Sequence, residues 1–151
     1  MKDKFIQAYM EVAKTFANLS SAKRLQVGAI VVKDDRIISI GYNGMPSGWT
    51  NECEELLLNV VGVAKDGNDI VEPYLKSKPE VLHAETNAIA KLARSPESGE
   101  GATIFITHAP CLDCAKLIYQ SGIREVYYET EYRATEGVEF LKASGVSVHQ
   151  T

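Results

Sequence analysis

The chain is poor in cysteine: three residues in 151, an odd number that cannot close a complete disulfide framework. Its stability must come from a core, and a hydrophobic content of 45% is enough for one. Basic residues are in deficit, with 16 Lys and Arg against 20 Asp and Glu and a net charge of −4 spread through both halves. A protein that works on nucleic acid presents a basic face, so that class is set aside. No apolar run approaches the ~20 residues of a membrane-spanning helix, and no membrane association is expected. The opening Met1-Lys2-Asp3-Lys4-Phe5 is charged and lacks the apolar block of a signal peptide, so a cytoplasmic location is expected. Repeats and low-complexity tracts are absent, and the length suits one domain over 1–151.

What is present is periodic. Phe5, Tyr9, Val12 and Phe16 fall on one helical stripe, expected to be core, in a helix from about Asp3 to Leu19. Val27 to Val32 is a β-branched run, Asp34-Asp35 interrupts it, and Arg36 to Ile40 resumes it, which reads as a hairpin. A turn-rich loop follows from Gly41 to Gly48. The stretch from about 53 to 82 has no clear period and reads as an insertion carrying one helix. Beyond it, helix Ala84–Arg94, strand Thr103–Thr107, helix Pro110–Gln120, strand Glu125–Glu129, helix Tyr132–Ala143 and strand Val146–Val148 alternate. Strand–helix–strand alternation implies parallel strands with helices packed on them. With the hairpin added, the expected fold is α/β: a three-layer α/β/α sandwich on a mixed five-stranded sheet.

Two short motifs carry chemistry. His83-Ala84-Glu85 and Pro110-Cys111-Leu112-Asp113-Cys114 each open an expected helix. Cys111 and Cys114, three apart, lie on neighbouring helical faces and can grip one ion. His83 and Glu85 diverge within a regular helix, so they converge only if His83 still belongs to the incoming loop. That places a metal at two helix N-termini, where unpaired N–H groups and the helix dipoles favour thiolates. Three protein ligands leave one tetrahedral position open, the layout of catalytic zinc, which can lower the pKa of a water to about 7. Glu85 then serves as the proton carrier. Two alternatives stand beside this: a closed Cys₃His site completed by Cys53, or two cysteines and a buried histidine with no metal.

The motifs resemble those of zinc nucleobase deaminases. Nearly the whole chain is similar to the deoxycytidylate (dCMP) deaminase family, through Arg24 to Ala29, the Gly41-Tyr42-Asn43-Gly44-Met45-Pro46-Ser47-Gly48 loop, His83 to Ile89, and Pro110 to Lys116. The Gly-Tyr-Asn-Gly loop points to dCMP; the other two motifs are common to the superfamily. The resemblance implies a cytidine-deaminase-like fold, zinc, conversion of dCMP to dUMP and ammonia, and a homohexamer. It also implies activation by dCTP with Mg²⁺ and inhibition by dTTP. Short forms of the family occur in bacteriophages, which would place this chain in a host cytoplasm. Some members hold a second, structural zinc through a cysteine two residues before the Arg24 position. Ala22 stands there here, so one zinc per chain is expected, with the segment from Glu54 to Leu82 ordered by packing alone.

The resemblance also assigns substrate contacts. Arg24 would meet the 5′-phosphate, for which a guanidinium fork is suited, with Lys23 as the fallback. Asn43 would read the 3′-hydroxyl, though asparagine before glycine is also ordinary turn chemistry. Ala84, Thr107, Ala109 and Tyr132 would line the base, and Tyr42, Gly44 and Arg94 are candidates for the effector site. Asn87 is either a buried contact behind the site or a polar helix residue. His108 reads as a loop histidine, and Trp49 as a packing or interface residue. The rival functions are another zinc deaminase, such as one acting on tRNA adenosine, a riboflavin precursor or free cytidine, and a noncatalytic zinc module that binds deoxynucleotides. The acidic balance argues against the tRNA enzyme, the length against a fused reductase, His83 against the free-cytidine type, and Glu85 against the noncatalytic module.

Overall fold

The computed structural model, which describes residues 1–151, opens with helix α1 (Asp3–Ala17) and the hairpin of β1 (Gly28–Lys33) and β2 (Arg36–Tyr42). The hairpin turns at Asp34 and Asp35, both at positive φ of 50° and 57°, the two-residue geometry that matches strand twist. A second hairpin, β3 (Glu54–Val63) and β4 (Asp69–Ser77), follows. The rest alternates: α2 (Ala84–Ala93), β5 (Thr103–His108), α3 (Leu112–Gln120), β6 (Glu125–Thr130), α4 (Glu136–Ala143) and β7 (Ser147–Gln150). The main sheet runs β2-β1-β5-β6-β7. β1 is antiparallel to both β2 and β5, while β5, β6 and β7 are parallel.

Period-two alternation sends each strand's side chains to two different cores. Ala29, Val31, Ile104, Ile106 and Val126 face one side, where α2, α3 and α4 contribute Ala84, Ala88, Leu92, Ala115, Ile118 and Leu141. Ile30, Val32, Phe105 and Tyr127 face the other, covered by α1 through Met10 and Ala13. Phe105 stacks on Tyr127 with centroids 5.0 Å apart and meets Tyr9 at 5.3 Å. The mixed five-stranded sandwich expected from the sequence is what forms.

Three expectations need correction. Phe5 is not core: it is 46% exposed, because the face that α1 lays on the sheet is centred on Ile6, Met10, Ala13 and Ala17 and Phe5 lies to one side of it. The last helix starts at Glu136 rather than Tyr132, residues 131–135 forming an irregular loop after β6. Most consequentially, the segment from 53 to 82 holds no helix. Leu56 to Val63 is a strand, paired antiparallel with β4 around a turn at Asp66-Gly67-Asn68, where the Asp66 carboxylate accepts both the backbone and the side-chain N–H of Asn68. Only its ends are tied to the domain, through buried Cys53, the Glu54 carboxylate and the Gly44–Leu82 bridge. Neither β3 nor β4 packs extensively on any helix or on the main sheet.

Close approach fixes α2. A Cβ on Gly41 of β2 would sit 2.2 Å from the Ala84 carbonyl oxygen and 2.6 Å from the Ala88 nitrogen, so only glycine lets β2 run against the first turn of α2. Gly41→Ala is expected to cost about 2–3 kcal/mol by overpacking, read as a lowered urea midpoint with unchanged slope. Gly62→Ala in β3, whose new Cβ meets nothing nearer than Ile70 at 3.8 Å, should stay within about 0.5 kcal/mol of wild type.

Candidate active site

Two helix N-termini meet at one end of the sheet. His83 is the residue that caps α2 and Cys111 the one that caps α3, both with extended backbone (ψ 154° and 168°). A capping side chain ordinarily accepts a hydrogen bond from its own helix. Neither does here, so the imidazole and the thiol are free to turn toward each other. Their carbonyls start the helices instead, accepting from the Asn87 and Ala115 N–H groups at 2.9 Å. Cys114 comes from the first turn of α3, and Gly137 of α4 is close enough to the Pro110-Cys111 backbone that a Cβ would strike it, which presses that turn into place.

The result is a three-donor cluster. His83 Nδ1 lies 3.3 Å from Cys114 Sγ and 3.6 Å from Cys111 Sγ, and all three ligand atoms fall within 4.8 Å of one another. Tetrahedral zinc with these donors has N···S edges of about 3.6 Å, so the donors are spaced to receive it with one position left. The electrostatics agree with the chemistry of the donor set. Without an ion, hydrogen bonds from Cys114 and then His83 hold the Cys111 thiol down at about 4, while that shared proton and burial push Cys114 upward. His83 is raised, chiefly by its bond to Cys111. A cation would take the place of that proton. Thr86 Oγ1, 3.6 Å from Cys114 Sγ, supports the buried sulfur from behind. Cys53 stays apart; it is 1% exposed with its thiol against the Asn51 carbonyl, so the closed Cys₃His arrangement is not built.

Glu85 is 4% exposed and lines the same cleft as His83 and Cys111, a cavity of about 540 Å³. Burial pushes its carboxyl up to about 7 against the opposing pull of His83. A cation in the cluster would draw it back down. A carboxyl that is near neutrality and beside an open metal position is equipped to accept a proton and hand it on.

Of the other expected contacts, Arg24, Asn43, Ala84, Ala109 and Tyr132 all line the cleft, while the fallback Lys23 does not; His108, read from the sequence as a loop histidine, lines it too, and Trp49 does not. Thr107 does not either. Its buried hydroxyl accepts the Gly28 N–H at 3.1 Å and lies 2.9 Å from His108 Nδ1, which makes it a brace between β1 and β5. Burial lowers His108, favouring the neutral ring. Asn43 is more committed than a free reader would be: its amide oxygen accepts the Val27 N–H and its nitrogen donates to the Leu25 carbonyl, leaving one amide hydrogen. Asn87 donates to the Tyr42 carbonyl and ties α2 to the end of β2. Tyr42 and Gly44 flank Asn43, Gly44 pairing with Leu82, and Arg94 sits exposed at the opposite end of α2.

Sequence reasoning missed Lys78, Arg133 and Glu54, which also line the cleft. Glu54 accepts the backbone N–H groups of Lys23 and Arg24 at 2.7 and 3.1 Å, and Arg24 reaches Ser77 Oγ at 3.3 Å. No spacing rule could have found them, because hairpin and loop meet Arg24 only in three dimensions. Arg24, Lys78 and Arg133 give the cleft three cations in a chain of net negative charge.

Comparison with known proteins agrees with this geometry. The model of the cytidine and deoxycytidylate deaminase zinc-binding region matches residues 3–130. Deoxycytidylate deaminase of Enterobacteria phage T4 is 33% identical over 92% of this chain and 86% of its own. ComE operon protein 2 of Bacillus subtilis is 34% identical over 95% of this chain and 69% of its own. Among solved structures, dCMP deaminase from the cyanophage S-TIM5, in complex with dCMP and dUMP, superposes with a TM-score of 0.85 at 44% identity, covering 100% of this chain and 99% of that one.

The purified chain should hold one zinc. His83→Ala and Cys111→Ser should each lose it, whereas Cys53→Ala keeps it, measured by metal analysis after gel filtration. Two zincs per chain, or full retention in the first two variants, would refute the cluster as the metal site.

Proposed function

The chain belongs to the cytidine and deoxycytidylate deaminase zinc-binding family, and on that premise we propose that it hydrolyses dCMP to dUMP and ammonia. The observation that carries the reading is the buried Glu85 beside a three-donor cluster in a cleft of mononucleotide size lined by three cations. His83, Cys111 and Cys114 would hold zinc. When bound, the ion supplies Lewis-acid activation of water.

The protein's own groups do the rest. Glu85 takes a proton from the attacking water and passes it to N3 of the cytosine ring while oxygen bonds to C4. It carries the second proton to the amino group, the C4–N bond breaks, and ammonia leaves as the C4 carbonyl forms. Backbone at Ala84 and Ala109 and the ring of Tyr132 enclose the base. The remaining amide hydrogen of Asn43 donates to the 3′-hydroxyl. Arg24, joined by Lys78 and Arg133, receives the 5′-phosphate; a charge-assisted contact of this kind adds binding only when the phosphate is present. A cleft walled by cations fits a nucleotide better than a nucleoside.

The family resemblance extends the proposal to regulation. dCTP with Mg²⁺ activates, dTTP inhibits, and Tyr42, Gly44 and Arg94 contribute to the effector site of a homohexamer. Tyr42 and Gly44 adjoin Asn43 in the chain, which gives an effector there a short path to the sugar. No helix is long and apolar enough to cross a membrane, which is compatible with work in the cytoplasm. Ammonia release from dCMP, CMP, deoxycytidine and guanine, each with and without dCTP, tests substrate and regulation together. Turnover of guanine or deoxycytidine in preference to dCMP would overturn the assignment.

Two variants test the roles. Glu85→Gln should fold and keep zinc and nucleotide affinity, yet lose at least ~10²-fold in kcat, as expected for removal of a general acid/base. Retention of a tenth of kcat with zinc intact would remove Glu85 from the proton path. Arg24→Ala should raise KM for dCMP well above any change for deoxycytidine; equal losses would assign Arg24 to the sugar or the fold.

A further inference from the structure

Thr86 departs from what threonine ordinarily does in a helix. A helical threonine commonly turns its hydroxyl back to the carbonyl four residues earlier, as Thr15 of α1 does toward Glu11 at 2.9 Å. For Thr86 that carbonyl belongs to Leu82, which lies ahead of the capping His83 and already accepts the Gly44 N–H at 3.1 Å. The His83 carbonyl, three residues back, accepts the Asn87 N–H. The Thr86 hydroxyl turns across to α3 instead and meets the Cys114 sulfur at 3.6 Å. The sulfur it meets is the one water cannot reach. Cys114 is 2% exposed, whereas Cys111 is half-buried and His83 exposed. Water can share the charge of a thiolate at Cys111, but a buried one depends on its counter-ion and on hydrogen bonds from the protein. Apart from its two fellow donors, the Thr86 hydroxyl is the group within hydrogen-bonding reach of Cys114 Sγ. Thr86 does not line the cleft, so this contact lies behind the metal cluster rather than on a wall that substrate touches.

We propose that Thr86 is a positioning residue of the metal centre: its hydroxyl donates to the Cys114 sulfur, fixes that ligand and draws off part of its charge. With a proton on the cluster, either atom could be the donor. A sulfur that holds a cation has given its proton up, so only the hydroxyl can donate. The charge matters because two thiolates and a neutral imidazole cancel the two charges of a zinc ion. A hydrogen bond to one thiolate weakens that cancellation and leaves more Lewis acidity for the open position. The placement follows from the helix start. Thr86 comes three residues after His83, on the neighbouring face of the same turn. One turn of α2 therefore offers a ligand of its own and secures a ligand on α3. This rests on the reading of His83, Cys111 and Cys114 as a zinc site.

The test uses the full chain and two variants. Thr86→Val keeps the shape and removes the hydroxyl, while Thr86→Ser keeps the hydroxyl. Each is loaded with Co²⁺, whose sulfur-to-metal charge-transfer band reads the electron density on the thiolates. Loss of the hydrogen bond raises the energy of the sulfur lone pair. The band should therefore move to longer wavelength in Thr86→Val and stay at its wild-type position in Thr86→Ser. Zinc affinity, measured by competition with a chromophoric chelator, should fall about tenfold in Thr86→Val and be restored in Thr86→Ser. In the zinc-loaded Thr86→Val enzyme, kcat for dCMP should fall with KM unchanged, because Thr86 does not touch the substrate. An unmoved band in Thr86→Val overturns the proposal. So does a serine variant that follows valine, which would assign the effect to the methyl group, or a raised KM with an unmoved band, which would make Thr86 part of the substrate wall. A wild-type chain with no charge-transfer band at all would bring down the zinc-site reading, and this proposal with it. Should Thr86→Val not fold, Thr86→Ala takes its place, and the contrast with Thr86→Ser is read in the same way.

Discussion

The site depends on one constraint: two helices must begin at the same place, with side chains at their first positions left unused by the helices themselves. His83 and Cys111 satisfy it because their carbonyls, not their side chains, start α2 and α3. Helix N-termini concentrate unpaired N–H groups and the positive dipole end, which favours thiolate at Cys111, and at Cys114 once a cation takes the place of the proton the two share. The rest of the fold serves that meeting. Gly41 lets β2 run against the first turn of α2, Gly137 lets α4 press on the Pro110-Cys111 turn, and the Thr107 hydroxyl ties β5 to β1 beside them.

Glu85 shows why position matters more than residue type. The same α2 turn that presents His83 to the cleft buries the carboxyl two residues later, and burial is what lifts it to about 7. An exposed glutamate at this spacing would stay ionised and would be a poorer proton donor. The cations, by contrast, come from three unrelated segments: the loop after α1, the end of the second hairpin and the loop before α4. Recognition of charge is thereby separated from the rigid element that holds the chemistry.

Much of this was legible in the sequence. The main-sheet strands bury both faces or alternate between two cores, so Ala29 to Val32 and Thr103 to Ile106 announce themselves as short β-branched or apolar runs. His83, Glu85, Cys111 and Cys114 were readable because each pair is local and its geometry follows from a helix start. Leu56 to Val63 was not, since an apolar run without period suits a buried helix as well as a strand. The feature that separates the two readings, apolar pairs across an isolated hairpin, exists only once β4 is in register. Phe5 failed for a related reason: a stripe tells that a helix has an apolar side, but not which of its residues the sheet covers, and the sheet covers Ile6 and Met10 rather than Phe5.

The Asn43-Gly44 step has a consequence for the lifetime of the protein. Asparagine before glycine is the dipeptide most prone to spontaneous loss of its amide, because the following nitrogen can attack the side-chain carbonyl and close a succinimide. Here the attacking nitrogen is engaged: Gly44 donates to Leu82 at 3.1 Å. The amide under attack is pinned at both ends by Val27 and Leu25, and the Asn43 carbonyl accepts from Ser20 at 2.6 Å. Chemical ageing at this step must wait for the Gly44–Leu82 bridge to open. The shelf life of the cleft is therefore set by a local breathing motion, and anything that keeps this loop closed slows its decay.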